Sequence, residues 1–275
     1  MKDKNCKLRK LISDYYKDYY KIQLGLPDWR ERVALRIDEE DVYCSRFVNW
    51  IEEWVNYSFF RKKVLIVGCG TGGELIKLTK KGSEVFAIEP NEKALEICHI
   101  KCEKENIPVK NVMNAYSENL PFDSNTFDFV YCFTVLEHVE DVNLSIQEMV
   151  RCVKLDGKVF IQTPDYRQLY EGHYKLPLPM FLPIWFNKII LRALGRPTKF
   201  LSTINKVNSR VLLEKFSDLP VTALRVYKDE VKNTPLFSFR LGYVAQLVQF
   251  LIYKLFKIEG NQIWILHKTN TRRGD

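Results

Sequence analysis

Apolar and polar positions fall into three textures along the chain. Over residues 1–60 they recur at helical intervals: Leu11, Tyr15, Tyr16, Tyr19 and Tyr20 form one stripe, and a second amphipathic run covers 39–57. Leu26-Pro27-Asp28 separates the two. From Lys63 onward, short apolar runs alternate with polar stretches of helical spacing. Strands are predicted at 64–67, 85–89, 112–115, 127–133 and 159–163, with helices between them at 73–81, 92–106 and 142–153. This alternation implies a parallel sheet with right-handed crossovers.

After Thr163 the alternation stops. Residues 166–200 are rich in proline, aromatics and long aliphatics, and only 221–227 and 262–267 predict further strands. Segment 182–194 predicts a helix with Pro183 in its first turn and Gly195 past its end. Its spacing puts Trp185, Phe186, Ile189 and Ile190 on one side, with Lys188 and Arg192 on the other. A second segment, 241–253, carries no charge. Neither predicts a membrane span, which needs roughly 20 apolar residues; Lys188, Arg192, Gln246, Gln249 and Lys254 interrupt or bound these stretches. Two readings follow: helices closing over the core as a lid, or an interfacial patch with its basic side toward lipid phosphates.

Composition narrows the class. A chain of 275 residues with 46% hydrophobic and 28% charged residues can bury a core and has room for one elaborated catalytic domain. Seven cysteines, an odd number with no apolar leader before them, argue against a disulfide scaffold and for a cytoplasmic, reducing setting. The net charge of +8 is unevenly placed. Basic and acidic residues balance at eleven each over 1–60 and stand at thirteen against fifteen over 61–160, but at eighteen against eight over 161–275. The C-terminal excess would suit an anionic membrane surface or a phosphate.

The strongest local signal is the buried strand Lys63–Val67 running into Gly68-Cys69-Gly70-Thr71-Gly72-Gly73 and then a helix. Glycines serve a sharp turn that a ligand approaches more closely than a Cβ allows, and the helix start offers unpaired N–H groups. The spacing fits both GxGxxG and GxGxG. Strand two ends at Glu89, twenty-one residues after Gly68, where a carboxylate can accept hydrogen bonds from both hydroxyls of a ribose. An adenosine-bearing ligand is implied.

With these residues in order, 63–165 resembles the class I S-adenosylmethionine-dependent methyltransferases. The family's glycine motif is matched by Val64-Leu65-Ile66-Val67-Gly68-Cys69-Gly70-Thr71-Gly72, and its strand-two signature by Ile88-Glu89-Pro90-Asn91. Ser117-Glu118-Asn119-Leu120-Pro121-Phe122, Phe127-Asp128 and Val135-Leu136-Glu137-His138-Val139 are similar to the adenine loop, fourth strand and following helix; Val153–Lys158 is similar to the turn into strand five. Ile66 and Tyr116 stand where the family often has acids, which removes two supporting contacts.

The resemblance implies an α/β fold: a doubly wound, Rossmann-like seven-stranded sheet of five parallel strands plus a C-terminal β-hairpin element. Its expected parts are an N-terminal helical cap (1–60), the cofactor-binding core (61–165), an apolar helical lid insertion (166–220) and C-terminal strands with an inserted apolar helix (221–275). It also implies S-adenosylmethionine as cofactor. The backbone of Gly68, Cys69, Gly70 and Gly72 would pass under the methionine part, Glu89 and Pro90 would border the ribose, and Ser117 and Glu118 would read the adenine edge. Cys132 and Phe133 would border the transferable methyl.

In-line displacement at a sulfonium needs mainly alignment and exclusion of water. If the acceptor carries a proton, His138 is the expected base, with His173 a second candidate. Cys98 and Cys102 share a helix face but lack two further ligands, so no metal is expected. Cys132-Phe133-Thr134-Val135 does not resemble the Asn/Asp-Pro-Pro-Tyr/Phe pattern of base-modifying enzymes, so nucleic acid is disfavoured. The expected acceptor is a small molecule, hydrophobic or lipid-linked, as in quinone and glycan pathways. The alternatives are a non-catalytic S-adenosylmethionine-binding regulatory or assembly protein and an NAD-dependent oxidoreductase.

Overall fold

A computed structural model describes residues 2–226 and 260–270. The second apolar segment, 241–253, lies outside the described residues. Seven strands form one sheet: β1 (Lys63–Val67), β2 (Glu84–Ile88), β3 (Val112–Met113), β4 (Phe127–Phe133), β5 (Val153–Pro164), β8 (Val221–Val226) and β9 (Asn261–Lys268). Their order is β3-β2-β1-β4-β5-β9-β8. The first five run parallel, and β9 is antiparallel to both β5 and β8, as expected for the doubly wound core with its C-terminal hairpin element. Two short strands, β6 (Tyr170–Glu171) and β7 (Leu176–Pro177), pair in a separate hairpin within the insertion.

β1 is buried along nearly its whole length because helices cover both faces of the sheet, which is why it reads as a continuous apolar run. Helices α4 (Gly73–Lys80), α5 (Glu92–Lys104) and α6 (Val142–Cys152) are the crossovers. The Asn91 side chain caps α5 by accepting from Ala94 N–H, and Asp141 caps α6 by accepting from Asn143 and Leu144 N–H. One apolar cluster fills each face of the sheet.

The N-terminal segment forms α1 (Lys2–Lys17), one π-helical turn (Asp18–Gln23), α2 (Trp29–Asp38) and α3 (Glu40–Val55). The apolar periodicity indicates the first and last of these; α2 is amphipathic too weakly to stand out. The insertion holds α7 (Ile184–Ala193) and α8 (Ser209–Ser217). Leu8, Ile12, Tyr16 and Tyr20 of the N-terminal segment pack with Tyr166, Tyr174, Leu178, Met180, Leu191 and Leu201 of the insertion in a third apolar cluster. Cap and insertion thus share one core, although more than a hundred residues separate them in sequence.

Helix α7 turns its apolar side outward. It buries Asn187 and Leu191, while Trp185, Phe186 and Ile189 are exposed, Trp185 at 60%. Pro183 is its N-cap, one position earlier than expected, and Gly195 takes φ +65° just beyond its end.

Candidate functional site

Parallel register brings the ends of β1, β2 and β4 to one sheet edge: Val67 lies opposite both Ile88 and Cys132. Gly68, Glu89 and Phe133 therefore lie side by side where open α/β sheets bind ligands. The glycine turn is pinned from below by Gly68 and Cys69 N–H donating to Ile88 O, each at 3.0 Å. Gly68 takes φ +71°, and a Cβ there would stand 2.5 Å from Val135 Cγ2; Gly72 takes φ +85°, and a Cβ would meet Cys98 Sγ at 2.5 Å. Gly70 differs. Its φ is +52°, yet a Cβ would find nothing within 4 Å, so open space lies above the middle of the loop.

Glu89 closes this turn. Its carboxylate accepts Gly70 N–H at 2.7 Å and Asn91 N–H at 2.9 Å. The side chain is buried, and burial raises its pKa against the lowering effect of these two bonds. Two bonds leave acceptor capacity on both oxygens, which a ribose diol would use with no cation required. The open space at Gly70 and this part-satisfied buried carboxylate fit the nucleoside part of S-adenosylmethionine. Tyr15, on α1, is close enough to Glu89 for that charge to help burial raise its phenol pKa. The cap therefore approaches Glu89 and the glycine turn.

One helical turn further along the cap, Tyr19 faces another group of residues. Its ring packs against Phe200 (centroids 5.7 Å apart), and Phe200 in turn packs against His138 (5.6 Å) and His173 (5.2 Å). The two histidine rings meet edge to face at 5.2 Å. Donor atoms of Glu137, His138 and His173 lie within 4.8 Å of one another, the one such group of three His, Cys, Asp or Glu among the described residues. Glu137 is fully buried: Thr163 Oγ1 donates to its Oε2 at 2.9 Å, and its Oε1 has no partner among the described residues. Burial pushes its carboxyl up to about 7.

Glu171 accepts His173 Nδ1–H at 2.6 Å on Oε1 and Tyr174 N–H at 2.7 Å on Oε2. Burial opposes ionisation of both partners, but their hydrogen bond and mutual charge outweigh it, holding Glu171 low and raising His173. His138 has no such carboxylate. Crowding by the surrounding protein, followed by the nearby His173 charge, lowers it to about 4. The strand-to-helix turn carrying Glu137 and His138 starts at Thr134, a β-branched residue held at φ +54°. It is stapled by the insertion: Asn205 N–H donates to Glu137 O at 2.8 Å, and Asn205 Nδ2 donates to Val139 O.

The expected site residues separate into two groups. Gly68, Gly70, Glu89 and His138 follow β1, β2 and β4 at one sheet edge, Pro90 is exposed beside Glu89, and Phe133 is half-buried against Phe47 of α3 at 4.6 Å. Ser117, Cys69 and Cys132 are buried, and Glu118 is half-buried. Ser117 Oγ bonds Ser145 Oγ at 2.8 Å; Glu118 accepts Glu140 N–H at 2.7 Å; Cys69 Sγ contacts Cys98 Sγ at 3.9 Å; the Cys132 thiol is fully buried. These bonds and contacts hold the loops in place. Sequence reading missed Glu137, Glu171, Tyr19 and Phe200. Only the Glu171-Gly172-His173 spacing carried a signal for any of them.

A doubly wound sheet whose first turn presents bare backbone beside a carboxylate just past the second strand fits an α/β domain for a nucleoside cofactor. Residues 65–161 match the family described as "Methyltransferase domain", and this domain belongs to the class I S-adenosylmethionine-dependent methyltransferases. The chain is 35% identical over 119 residues to a ubiquinone biosynthesis O-methyltransferase of Pseudomonas fluorescens, covering 42% of this chain and 49% of that protein. It is 30% identical over 169 residues to the Proteus mirabilis protein of the same name (59% and 66%), and 29% identical over 147 residues to a demethylmenaquinone methyltransferase of a Geobacillus species (50% and 63%). The chain thus spans about half to two thirds of the length of these curated relatives. A solved S-adenosylmethionine-dependent methyltransferase of Archaeoglobus fulgidus shares the fold, with TM-score 0.53 and 17% identity over 83% of this chain and 94% of that one.

Proposed function

We propose that the protein transfers a methyl group from S-adenosylmethionine to a small, apolar hydroxyl- or quinol-type acceptor. The observation that carries this reading is the cap segment that joins the two groups: Tyr15, within reach of the Glu89 charge, and Tyr19, packed on Phe200 of the histidine cluster, are one turn apart on it. The relatives named for quinone methylation support the acceptor class. When bound, the cofactor supplies an electrophilic methyl on a sulfonium. The chain's own residues do the rest: Gly68 and Gly70 keep the approach open, Glu89 holds the ribose, and Tyr15, Tyr19 and Phe200 exclude water. His138, the base expected from sequence, lies at the acceptor end beside His173.

Calorimetry with S-adenosylmethionine, S-adenosylhomocysteine and NAD tests the cofactor reading. Binding of the first two without NAD is expected; preferential NAD binding would reject it in favour of an oxidoreductase. Turnover of labelled cofactor in a lysate extract separates an enzyme from a binding protein.

The outward face of α7 supports a second part of the proposal, that the protein rests on an anionic bilayer while taking its acceptor. No helix among the described residues is long and apolar enough to cross a membrane. Trp185, Phe186 and Ile189 instead form an exposed apolar ridge with Arg192 exposed alongside. Co-sedimentation with phosphatidylglycerol vesicles should fall when Lys188 and Arg192 are changed to Glu, and should weaken with salt. An absence of sedimentation at every ionic strength would leave α7 as a lid element alone.

A further inference from the structure

We propose that His173, oriented by the Glu171 carboxylate, is the catalytic base: its Nε2 takes the proton from a hydroxyl on the acceptor, and the methyl group is delivered to that oxygen. This rests on the methyl-transfer reading above and assigns the acceptor atom.

The β6–β7 hairpin builds the pair. Both oxygens of Glu171 are committed, Oε1 to His173 Nδ1–H and Oε2 to Tyr174 N–H, so the carboxylate cannot swing away. Its side chain is fully buried, whereas that of His173 is 13% exposed. A carboxylate on Nδ1 fixes the tautomer and leaves Nε2 free to accept a proton, and no described residue hydrogen-bonds that nitrogen. The His173 ring is tilted at 58° against Phe200 at 5.2 Å between centroids, and Phe200 packs against Tyr19, so aromatic side chains border the histidine.

Comparison with His138 decides which histidine acts. The rings are neighbours, and Glu171 favours the protonated form of both, but only His173 is hydrogen-bonded to a carboxylate that would stabilise the imidazolium formed on proton transfer. The other charged groups facing His173 are Glu137 and His138 from the turn after β4 and Lys175 from its own hairpin; Glu137 and Glu171 favour the protonated ring, and Lys175 and His138 oppose it. A base fixed at this point serves an acceptor that must lose a proton to become a good nucleophile. A hydroxyl meets that description, whereas a neutral amine already carries its lone pair.

The acceptor O–H bond breaks with its electron pair left on oxygen, and the proton goes to His173 Nε2. An oxygen pair forms the bond to the methyl carbon while the carbon–sulfur bond breaks, its electrons leaving on sulfur as a neutral thioether. His173 then returns its proton to solvent.

The test uses 4-nitrophenol, whose absorbance reports ionisation, titrated with the full chain in the presence of a chelator. The apparent pKa of the bound probe should fall by about one unit, as expected when an oxyanion forms beside a cation. The shift should vanish in His173→Gln. Calorimetry of S-adenosylmethionine binding checks that this variant is folded. In parallel, NMR titration of the imidazoles should place His173 above His138, with His173 moving down in Glu171→Gln. An unshifted probe, an equal shift in His173→Gln, a shift that requires added magnesium, or a His173 titrating below His138 would each overturn the assignment. Failure of the wild-type chain to bind S-adenosylmethionine would instead reject the methyl-transfer reading, leaving the measured proton chemistry of the pair as a separate result.

Discussion

The two ends of the crevice are built in different ways. At the ribose end, a strand, a turn and the next strand suffice: Gly68, Gly70 and Glu89 lie within twenty-two residues and are locked by backbone bonds to Ile88 and by Gly70 N–H on the carboxylate. At the acceptor end, Tyr19 comes from the cap, Glu137 and His138 from the turn after β4, and Glu171, His173 and Phe200 from the insertion. The first end is a local motif, the one proposed to hold the cofactor. The second is a tertiary assembly in which exchange of an insertion can change the acceptor while the cofactor site stays intact.

Glu89→Ala is expected to have the largest effect on this contrast. Loss of charge-assisted hydrogen bonds to the ribose should weaken S-adenosylmethionine binding by roughly 2 to 3 kcal/mol, or about 30- to 150-fold, in calorimetry. Unchanged affinity would show that the ribose end is not where the cofactor sits.

Glu137→Gln probes the other end through stability. In the folded protein this carboxyl is raised to about 7, above its ordinary value of 4.5, because burial favours the neutral form. The folded state therefore carries no penalty from Glu137 below pH 4.5, and a growing one as pH rises through 7. Gln keeps the acceptor for Thr163 without the charge, so the variant should gain on the wild type between pH 5 and 8, by on the order of 2 kcal/mol at the upper end. Parallel pH–stability curves from urea unfolding would mean that another group neutralises the charge.

The glycines sharpen the comparison within the ribose end itself. Gly68→Ala combines a left-handed φ with a Cβ 2.5 Å from Val135 and should cost stability by at least about 1 to 2 kcal/mol. Gly70→Ala meets no protein atom within 4 Å and should cost only the backbone part, about 1 kcal/mol. Its larger effect should appear in cofactor affinity, because the methyl would enter the crevice. Equal thermal shifts for the two variants, with equal affinity losses, would contradict the open space above Gly70. The smallest effect is predicted for Trp185→Ser, within about 0.5 kcal/mol of the wild type in urea unfolding, because the exposed indole contributes little to the described fold.

Legibility in the sequence followed the same division. β1, β2, β4 and the crossover helices could be read because burial on both faces writes continuous apolar runs and helical periodicity directly into the chain. The third strand was overextended, at 112–115 against the observed Val112–Met113, since an edge strand pairs on one side only and soon gives way to a loop. The strand predicted at 159–163 begins at Val153, in the stretch expected to form a turn: Lys158 pairs with Phe129, and after an irregularity that leaves 154–157 unpaired with β4, Val153 pairs with Phe127. Ser117 and Glu118 could be placed on the adenine loop but not oriented, because the direction of their side chains depends on Ser145 and on Glu140 N–H across the fold. For α7, periodicity separates an apolar side from a basic one, but which side faces the core depends on its neighbours; Asn187 goes inward because Pro179 O accepts its amide at 3.2 Å.

The sequence by itself determined the doubly wound sheet, the glycine turn and the acid twenty-one residues later, because each rests on contacts between neighbouring elements whose spacing is fixed by strand and helix geometry. Only the tertiary structure decided that the cap and the insertion share one core, that α7 shows its apolar ridge outward, and that Glu137, His138, Glu171 and His173 form one cluster. Those facts depend on packing between segments far apart in the chain. Burial and mutual charge, which set the proton affinities of that cluster, exist only once the segments have met.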